Sequence, residues 1–218
     1  MPRPYRLGRR AEQQAETRDR ILGAAVELYR TLGYAGTTTK AVAHAADVAP
    51  ATVRNHFATP EALAVAAGAR ILDDLRPPDP SIVDRDPSLA SRVARVAVEL
   101  VAFFERGDPW WSVLQRDSEL AAAWAGVAEA SELGLVRLFR AALGPLADDP
   151  VAMAVTRTTI GPPLHYMLLM TGLSRSDAVE AQLDVVIPWL ERRLAMRDHA
   201  APPGSRSRSR SRPHGGDE

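Results

Sequence analysis

Hydrogen-bonding side chains cluster between residues 38 and 57. The spacing predicts two short helices here, whose inward positions are small or apolar: Val42, Ala43, Ala46, Val48, Val53 and Phe57. The outward positions carry donors and acceptors: Thr38, Lys40, Thr52, Arg54, Asn55 and His56. Base edges in the major groove of DNA present donors and acceptors of the same kind. The segment therefore predicts a surface that binds DNA and reads its sequence.

The dimensions of this segment are those of a helix-turn-helix at residues 38–57. Its small inward residues allow two helices to pack closely at a steep angle. Thr37, Thr38 and Thr39 offer N-caps for the first helix, and Ala49-Pro50 opens the second.

The rest of the chain shows helical spacing and no alternation of apolar and polar residues. A stripe from Ile21 to Leu32 predicts a helix over 17–33, and Thr59-Pro60-Glu61 starts another that runs to about 75. Longer helices follow. We expect Gly107-Asp108-Pro109 to end one of them and Gly161-Pro162-Pro163 to interrupt another.

The pattern predicts an all-α fold, with a three-helix helix-turn-helix domain followed by a larger helical bundle. We place a basic flexible arm at 1–16, the DNA-binding domain at 17–75 and the C-terminal domain at 76–198. Residues 199–218 repeat Ser-Arg with almost no apolar side chains, which predicts a disordered tail.

The charge distribution supports this division. The whole chain has a net charge of +0, but residues 1–60 hold nine Lys/Arg and five Asp/Glu, whereas 61–198 hold 14 and 20. A basic end on an acidic body is typical of a protein with one DNA-facing domain. The arm carries Arg3, Arg6, Arg9 and Arg10, which either reach phosphates or the minor groove or form a simple solvated terminus.

Several classes of function are disfavoured. The chain has no cysteine, and it contains no Gly-x-Ser-x-Gly, His-Glu-x-x-His, Gly-x-Gly-x-x-Gly or P-loop motif. We therefore predict no enzyme activity, no cofactor and no metal. The basic start is not followed by an apolar stretch, which argues against a signal peptide, so we expect a cytoplasmic protein without membrane contact.

The N-terminal segment resembles the tetracycline-repressor (TetR/AcrR-type) family of bacterial transcriptional regulators. The resemblance rests on about 50 residues: Ile21-Leu22-Gly23-Ala24-Ala25-Val26-Glu27-Leu28-Tyr29, Gly33, Thr37-Thr38-Thr39, Val42-Ala43, Ala46-Asp47-Val48, Thr52-Val53-Arg54-Asn55-His56-Phe57 and Thr59-Pro60-Glu61-Ala62-Leu63. It implies nine or so helices, an obligate homodimer and a ligand-binding C-terminal domain.

The resemblance also implies residue roles. Thr38 and Thr39 would cap the first helix of the motif and touch phosphate. Thr52 would lie near base or phosphate at the start of the recognition helix, and His56 would hydrogen-bond the DNA backbone.

Three residues depart from the family pattern. Asp47 replaces the usual turn glycine, Arg54 replaces an aromatic residue, and Pro60 replaces the lysine that commonly opens the next helix. Aspartate tolerates a left-handed backbone better than most residues, so we expect the turn to form. The changes leave the DNA sequence that is bound undetermined.

Aromatic residues and a predicted helix break mark a candidate ligand cavity in the C-terminal domain. Such cavities are mostly apolar with a few polar groups. The candidates are Phe104, Trp110, Trp111, Trp124, His165, Tyr166 and Met170. For any single one of these, a plain core position is an equally good interpretation.

The last two helices, about 151–171 and 176–196, are the predicted dimer interface. Two helices from each chain would form a four-helix bundle that buries Val179, Leu183, Val186, Ile187, Leu190 and Leu194. The alternative is that these residues pack only within one chain.

The sequence thus predicts a homodimeric DNA-binding transcription factor that binds a palindromic operator and is released by a small molecule. Regulators of this family typically repress transcription, and activation of transcription is an alternative. A ligand-independent regulator with a filled C-terminal core also fits the sequence. A helical ligand carrier with a vestigial DNA-binding domain fits it less well.

Overall fold

The computed structural model describes residues 4–200, with side chains from residue 9 to residue 199. These residues form ten α-helices, two short 3-10 turns and no strand, which confirms the all-α fold. The helices are α1 Pro4–Gly36, α2 Thr39–Ala45, α3 Pro50–His56, α4 Pro60–Leu75, α5 Leu89–Arg116, α6 Ser118–Ala123, α7 Ala125–Leu143, α8 Pro150–Thr159, α9 Pro162–Met170 and α10 Arg175–Ala200. The predicted tail lies outside the described residues from 201 onward. No helix within 4–200 is both long and apolar enough to cross a membrane.

The start of α1 differs from our prediction. We placed the first helix at 17–33 after a flexible arm, whereas α1 already begins at Pro4. Residues 9–16 are all exposed and therefore show no apolar stripe. They are Ala, Arg, Glu and Gln, which are strong helix formers. The N-terminal extension of α1 therefore depends on intrinsic helix propensity and not on burial. The side chains of Arg3 and Arg6 lie outside the described residues.

The buried side chains form two cores. The first joins α1–α4 and takes in three residues from beyond the DNA-binding domain: Val113, Leu120 and Trp124. The second joins α5, α7, α8 and α10 around side chains such as Val93, Leu138 and Leu190. The two domains therefore share packing at the C-terminal end of α5 and in α6.

Two of the predicted breaks have different outcomes. Helix α5 continues through Gly107 and Pro109 without interruption, contrary to our prediction. The indole of Trp111 lies over Gly107, where an added Cβ would lie 2.9 Å from Nε1, and it donates to the carbonyl of Phe104 at 3.3 Å. The break at Gly161 does occur, between α8 and α9. A Cβ on Gly161 would approach the carbonyl oxygen of Arg157 to 2.3 Å, so only glycine fits there.

Helix α10 corrects the predicted dimer face. Val186 and Leu190 are completely buried in the second core of their own chain, and the rest of the predicted set packs against it: Val179, Leu183, Ile187 and Leu194. The apolar stripe visible in the sequence is the inward stripe of α10. The outward residues of the last helices include Val151, Val185 and Met196, which are 47%, 66% and 70% exposed.

Asp149 links α8 to α10. Its carboxylate caps α8 by accepting from the backbone N–H of Val151 and of Ala152, at 3.0 and 3.1 Å, and it also pairs with the guanidinium of Arg193. The hydrogen bond from Arg193, with the backbone bonds, lowers the pKa of Asp149 to about 2.

We predict that Asp149→Asn lowers Tm near neutral pH by about 2 °C. Asparagine caps a helix as well as aspartate does, so the substitution removes mainly the ion pair. Because the folded-state pKa of Asp149 is depressed, its contribution is present above the ordinary carboxyl pKa and is lost as pH falls towards about 2. Thermal melts over this range provide the measurement. The control is Asp148→Asn, which alters an exposed ion pair with Arg140. A Tm difference that persists in strong acid would contradict the assignment.

Candidate DNA-binding surface and ligand cavity

Helix α2 is fixed by a cap and by two buried residues. The hydroxyl of Thr38 accepts from the backbone N–H of Ala41 at 3.1 Å, as the cap prediction required. Val42 and Ala43 are buried against the first core, which leaves Lys40 exposed. Thr39 is the first helical residue, is partly exposed and is not the cap.

The turn between α2 and α3 depends on Asp47. Its φ is 52°, in the left-handed region that a glycine would occupy without strain, so the predicted backbone forms with aspartate in place. The N–H of Val48 then donates to the carbonyl of Ala43 at 3.0 Å, which closes the end of α2.

Helix α3 presents a polar face to solvent. Pro50 occupies its first turn, and Val53 and Phe57 are 2% and 6% exposed, so the helix is held from one side. Arg54 and Asn55 are exposed, and Thr52 and His56 are partly exposed. The hydrogen-bonding residues predicted from the sequence therefore share the accessible side of one short helix.

The extended part of α1 lies beside α3. Gln14, Ala15 and Arg18 face Thr52, Asn55 and His56 across an open groove of about 440 Å³. The guanidinium of Arg18 lies 5.0 Å from the ring centre of Phe57, which positions this charge next to the recognition helix. Sequence reasoning missed this groove because it placed residues 1–16 outside the folded domain.

The C-terminal domain contains a cavity of about 280 Å³ between α4, α5 and α7, which we call the aromatic cavity. Five aromatic residues line it: Phe103, Phe104, Trp110, Trp111 and Trp124. Neighbouring rings contact one another, with centroids 6.0 Å apart for Phe104 and Trp111 and 5.5 Å apart for Trp110 and Trp124. Aliphatic side chains such as Ile71 and Leu135 complete the wall.

A second cavity of about 600 Å³ lies against the break between α8 and α9, and we call it the break cavity. Gly161, Pro162 and Pro163 line it, together with Arg157. Both cavities share the side chains of Phe104, Glu132 and Leu135. The predicted helix break thus lies next to the predicted aromatic cluster.

The structure brings together four of the seven candidate ligand residues and separates the other three. Phe104, Trp110, Trp111 and Trp124 line the aromatic cavity. His165 is instead buried between α9 and α10, with Nδ1 3.3 Å from Oε1 of Gln182. Tyr166 donates to Asp108 at 3.4 Å, and Met170 is 88% exposed. Neither cavity includes any of these three.

Glu132 is the wall residue that sequence reasoning missed. It precedes Leu135 by three residues and Phe139 by seven, so it interrupts the apolar stripe of α7 with a carboxylate. A carboxylate within an apolar helix stripe is the sequence feature that could have identified Glu132 as a wall residue. The carboxylate pairs with Arg157 and remains about half exposed, with a side-chain exposure of 49%.

Two residues at the ends of α6 join the C-terminal domain to the DNA-binding domain. The indole N–H of Trp124 donates to the carbonyl of Ala64 in α4 at 2.8 Å, and its ring packs on Gly68. One oxygen of Asp117 accepts from the backbone N–H of Tyr34 at 2.6 Å, while the other caps α6 at Leu120. Helix α6 is therefore attached both to the end of α1 and to the middle of α4.

Comparison with known proteins finds a family match over part of the chain and solved structures that are similar to it. Residues 21–67 match the family model described as bacterial regulatory proteins, tetR family. A crystal structure of the multidrug binding protein EbrR complexed with imidazole is 22% identical with a TM-score of 0.54, over 79% of this chain and 89% of that one. The EbrR complex with ethidium is 25% identical (TM-score 0.45; 77% of this chain, 96% of that one). A TetR-family member from Streptomyces coelicolor A3 is 23% identical (TM-score 0.42; 77% and 96%). No curated protein sequence matches the chain.

The capped α2, the left-handed turn at Asp47 and the polar face of α3 define a helix-turn-helix DNA-binding protein. Residues 21–67 match the tetR family of bacterial regulatory proteins, and the fold of the chain is shared with the EbrR–imidazole structure. The N-terminal domain therefore places the chain among DNA-binding transcription regulators.

We predict that Asp117→Asn lowers Tm by about 4 °C, because an amide has one acceptor oxygen and cannot serve both Tyr34 and Leu120. Amide exchange at Tyr34 should also become faster. Glu119→Gln is the matched control, since it removes an exposed negative charge from the same first turn of α6. Equal effects of the two substitutions would show that only charge, and not the link between domains, matters here.

Proposed function

We propose that the protein is a homodimeric repressor that binds a palindromic operator and is released when a small molecule occupies its C-terminal domain. The observation that carries the DNA-binding part is the accessible polar face of α3, supported from behind by buried Val53 and Phe57. Its site of action is then the DNA of the bacterial cytoplasm. The proposal assigns base contacts to Arg54 and Asn55, which are the exposed polar residues of this face.

The remaining candidates are assigned to the DNA backbone. Thr38, Thr39 and Lys40 lie at the start of α2, where free N–H groups favour a phosphate. Thr52 and His56 line the groove towards α1 and are placed to contact phosphate or sugar. Phosphate contacts of this type fix the orientation of α3 without reading sequence.

The extended α1 adds to this surface. Arg10, Gln14 and Arg18 are spaced four residues apart and share one helix face, whereas Glu12 and Glu16 lie on another. The basic face is the one that continues into the groove beside α3. This supports a role for α1 in contacting phosphates next to the recognition helix.

Dimerisation is proposed through the outward side of α8 and α10. Reading a palindrome requires two recognition helices one helical turn of DNA apart, on the order of 34–36 Å. Val151, Val185 and Met196 offer exposed apolar surface on these two helices, on the side away from their own core. A second copy presenting the same surface would bury it with two-fold symmetry.

Ligand release is supported by the position of Trp124, which belongs both to the wall of the aromatic cavity and to the core of the DNA-binding domain. A molecule in the aromatic cavity would touch the same indole that packs in the DNA-binding core and donates to Ala64. Displacement of α6 would then move α1 and α4 together. The ligand acts only through its different affinity for the two dimer conformations. The cavity also disfavours a ligand-independent regulator with a filled core.

The DNA-binding proposal is tested by selecting duplexes from a random library with the purified chain and footprinting the products. We expect a pseudo-palindrome whose half-sites lie one helical turn, or a multiple of it, apart. Arg54→Ala or Asn55→Ala should reduce affinity for this site by about 10- to 100-fold and relax selectivity at one position of each half-site. Enrichment of no common sequence would contradict the proposal.

Arg18→Ala should behave differently, because a lost phosphate contact weakens binding to all sequences alike. The slope of log affinity against log salt should fall by about one unit per protomer. Arg20→Ala is the matched control, since Arg20 is exposed on the same helix and does not line the groove. An unchanged slope for Arg18→Ala would remove α1 from the interface.

A further inference from the structure

The start of the recognition helix α3 consists of three apolar residues. They are Ala49, Pro50 and Ala51, and all three are exposed. Within the described residues, none of them belongs to either of the two cores. The packing of the domain therefore gives no reason for three apolar residues in succession at this place.

The same turn also lacks a helix cap. Helices α2 and α4, which precede and follow α3, are capped by the hydroxyls of Thr38 and Thr59, whereas no described side chain caps α3 at Ala49. Alanine is a poor N-cap, and Ser, Thr, Asp or Asn at this position would stabilise the helix. A local sequence choice that lowers stability is expected at sites that are kept for function.

Ala51 lies on the same helix face as the two side chains to which we assign base contacts. Arg54 and Asn55 follow it by three and four residues, the spacing of neighbours on one face of an α-helix. These three residues are exposed, whereas Val53 is buried against the first core. In a helix-turn-helix, the N-terminal residues of the recognition helix contact the base edges. The proposed docking of α3 therefore brings the methyl group of Ala51 to the bases together with Arg54 and Asn55.

One base offers an apolar partner to this methyl group. In the major groove, adenine, guanine and cytosine present hydrogen-bond donors and acceptors, whereas thymine also presents its C5-methyl group. The side chain of Ala51 can neither donate nor accept a hydrogen bond. Contact between the two methyl groups removes apolar surface of both from water, which favours binding.

We propose that Ala51 reads the C5-methyl group of one thymine in each half-site of the operator, with the ring of Pro50 beside it. This inference rests on the proposed function, because it names a base that α3 recognises. Four residues of α-helix span about 6 Å, which corresponds to about two base pairs of DNA. The thymine therefore lies within about two base pairs of the base that Asn55 contacts.

The experiment replaces each thymine of the selected operator by uracil, one symmetric pair at a time, and measures the affinity of the full chain. Uracil differs from thymine only by the missing C5-methyl group. At the thymine read by Ala51, affinity should fall about fourfold for each half-site and about 15-fold for the pair, as for one methyl group returned to water. The bromine of 5-bromouracil is close to a methyl group in size, so this base should restore most of the affinity.

A double-mutant cycle assigns the methyl contact to Ala51. Ala51→Gly should bind the thymine operator more weakly and should no longer distinguish thymine from uracil at this position. Ala62→Gly is the matched control, because Ala62 is an exposed alanine in the first turn of α4, which also begins with a proline, Pro60. This control should retain the full difference. The cycle compares two duplexes bound by the same variant, so a partial loss of folded protein cancels.

Two results would overturn the inference and leave the proposed function intact. In the first, uracil replaces every thymine of the operator without loss of affinity, and Ala51 then serves only the close approach of the backbone. In the second, the uracil effect keeps its full size in Ala51→Gly, and the methyl group then acts through the shape of the DNA or on another residue. Failure to select an operator would instead refute the proposed function, and this inference with it.

Discussion

The indole of Trp124 is the contact on which the two halves of this protein depend. It is only 6% exposed, packs edge-on against Tyr29 of α1 at 6.4 Å and donates to the backbone of α4. The same ring lines the aromatic cavity. Since a buried N–H without a partner is costly, the bond to Ala64 ties the position of α4 to that of α6. A change in the cavity cannot move this ring without disturbing the core of the DNA-binding domain.

The helix-turn-helix could be predicted almost completely from the sequence, because short-range physics determines it. Thr38 caps α2 through a bond that spans three residues, and Asp47 adopts its left-handed backbone locally. The alternation of buried Val53 and Phe57 with exposed Arg54 and Asn55 is equally visible in one helical turn. Each of these features needs only neighbours in the chain.

The wrong predictions concern residues whose position is determined by long-range packing or by intrinsic helix propensity. The stripe on α10 indicated correctly that Val186 and Leu190 are buried, but periodicity cannot distinguish burial in the same chain from burial in a partner. Pro109 was predicted to end a helix that in fact continues, because packing around Trp111 and Gly107 tolerates one missing backbone bond. His165 looked like a ligand residue next to a helix break, whereas it hydrogen-bonds Gln182, 17 residues away.

Ligand release, as proposed, requires that occupation of the C-terminal cavity changes the separation of the two recognition helices. The chain has no cysteine, so Ala58→Cys introduces a single exposed attachment site just after α3. Pulsed electron paramagnetic resonance on the spin-labelled protein measures the distance between the labels of the two copies in the proposed homodimer, with and without a saturating aromatic probe such as acridine. We expect the distance distribution to shift by several ångströms, and to shift less when Trp124 is replaced by phenylalanine. An unchanged distribution with the probe fully bound would contradict the proposed release.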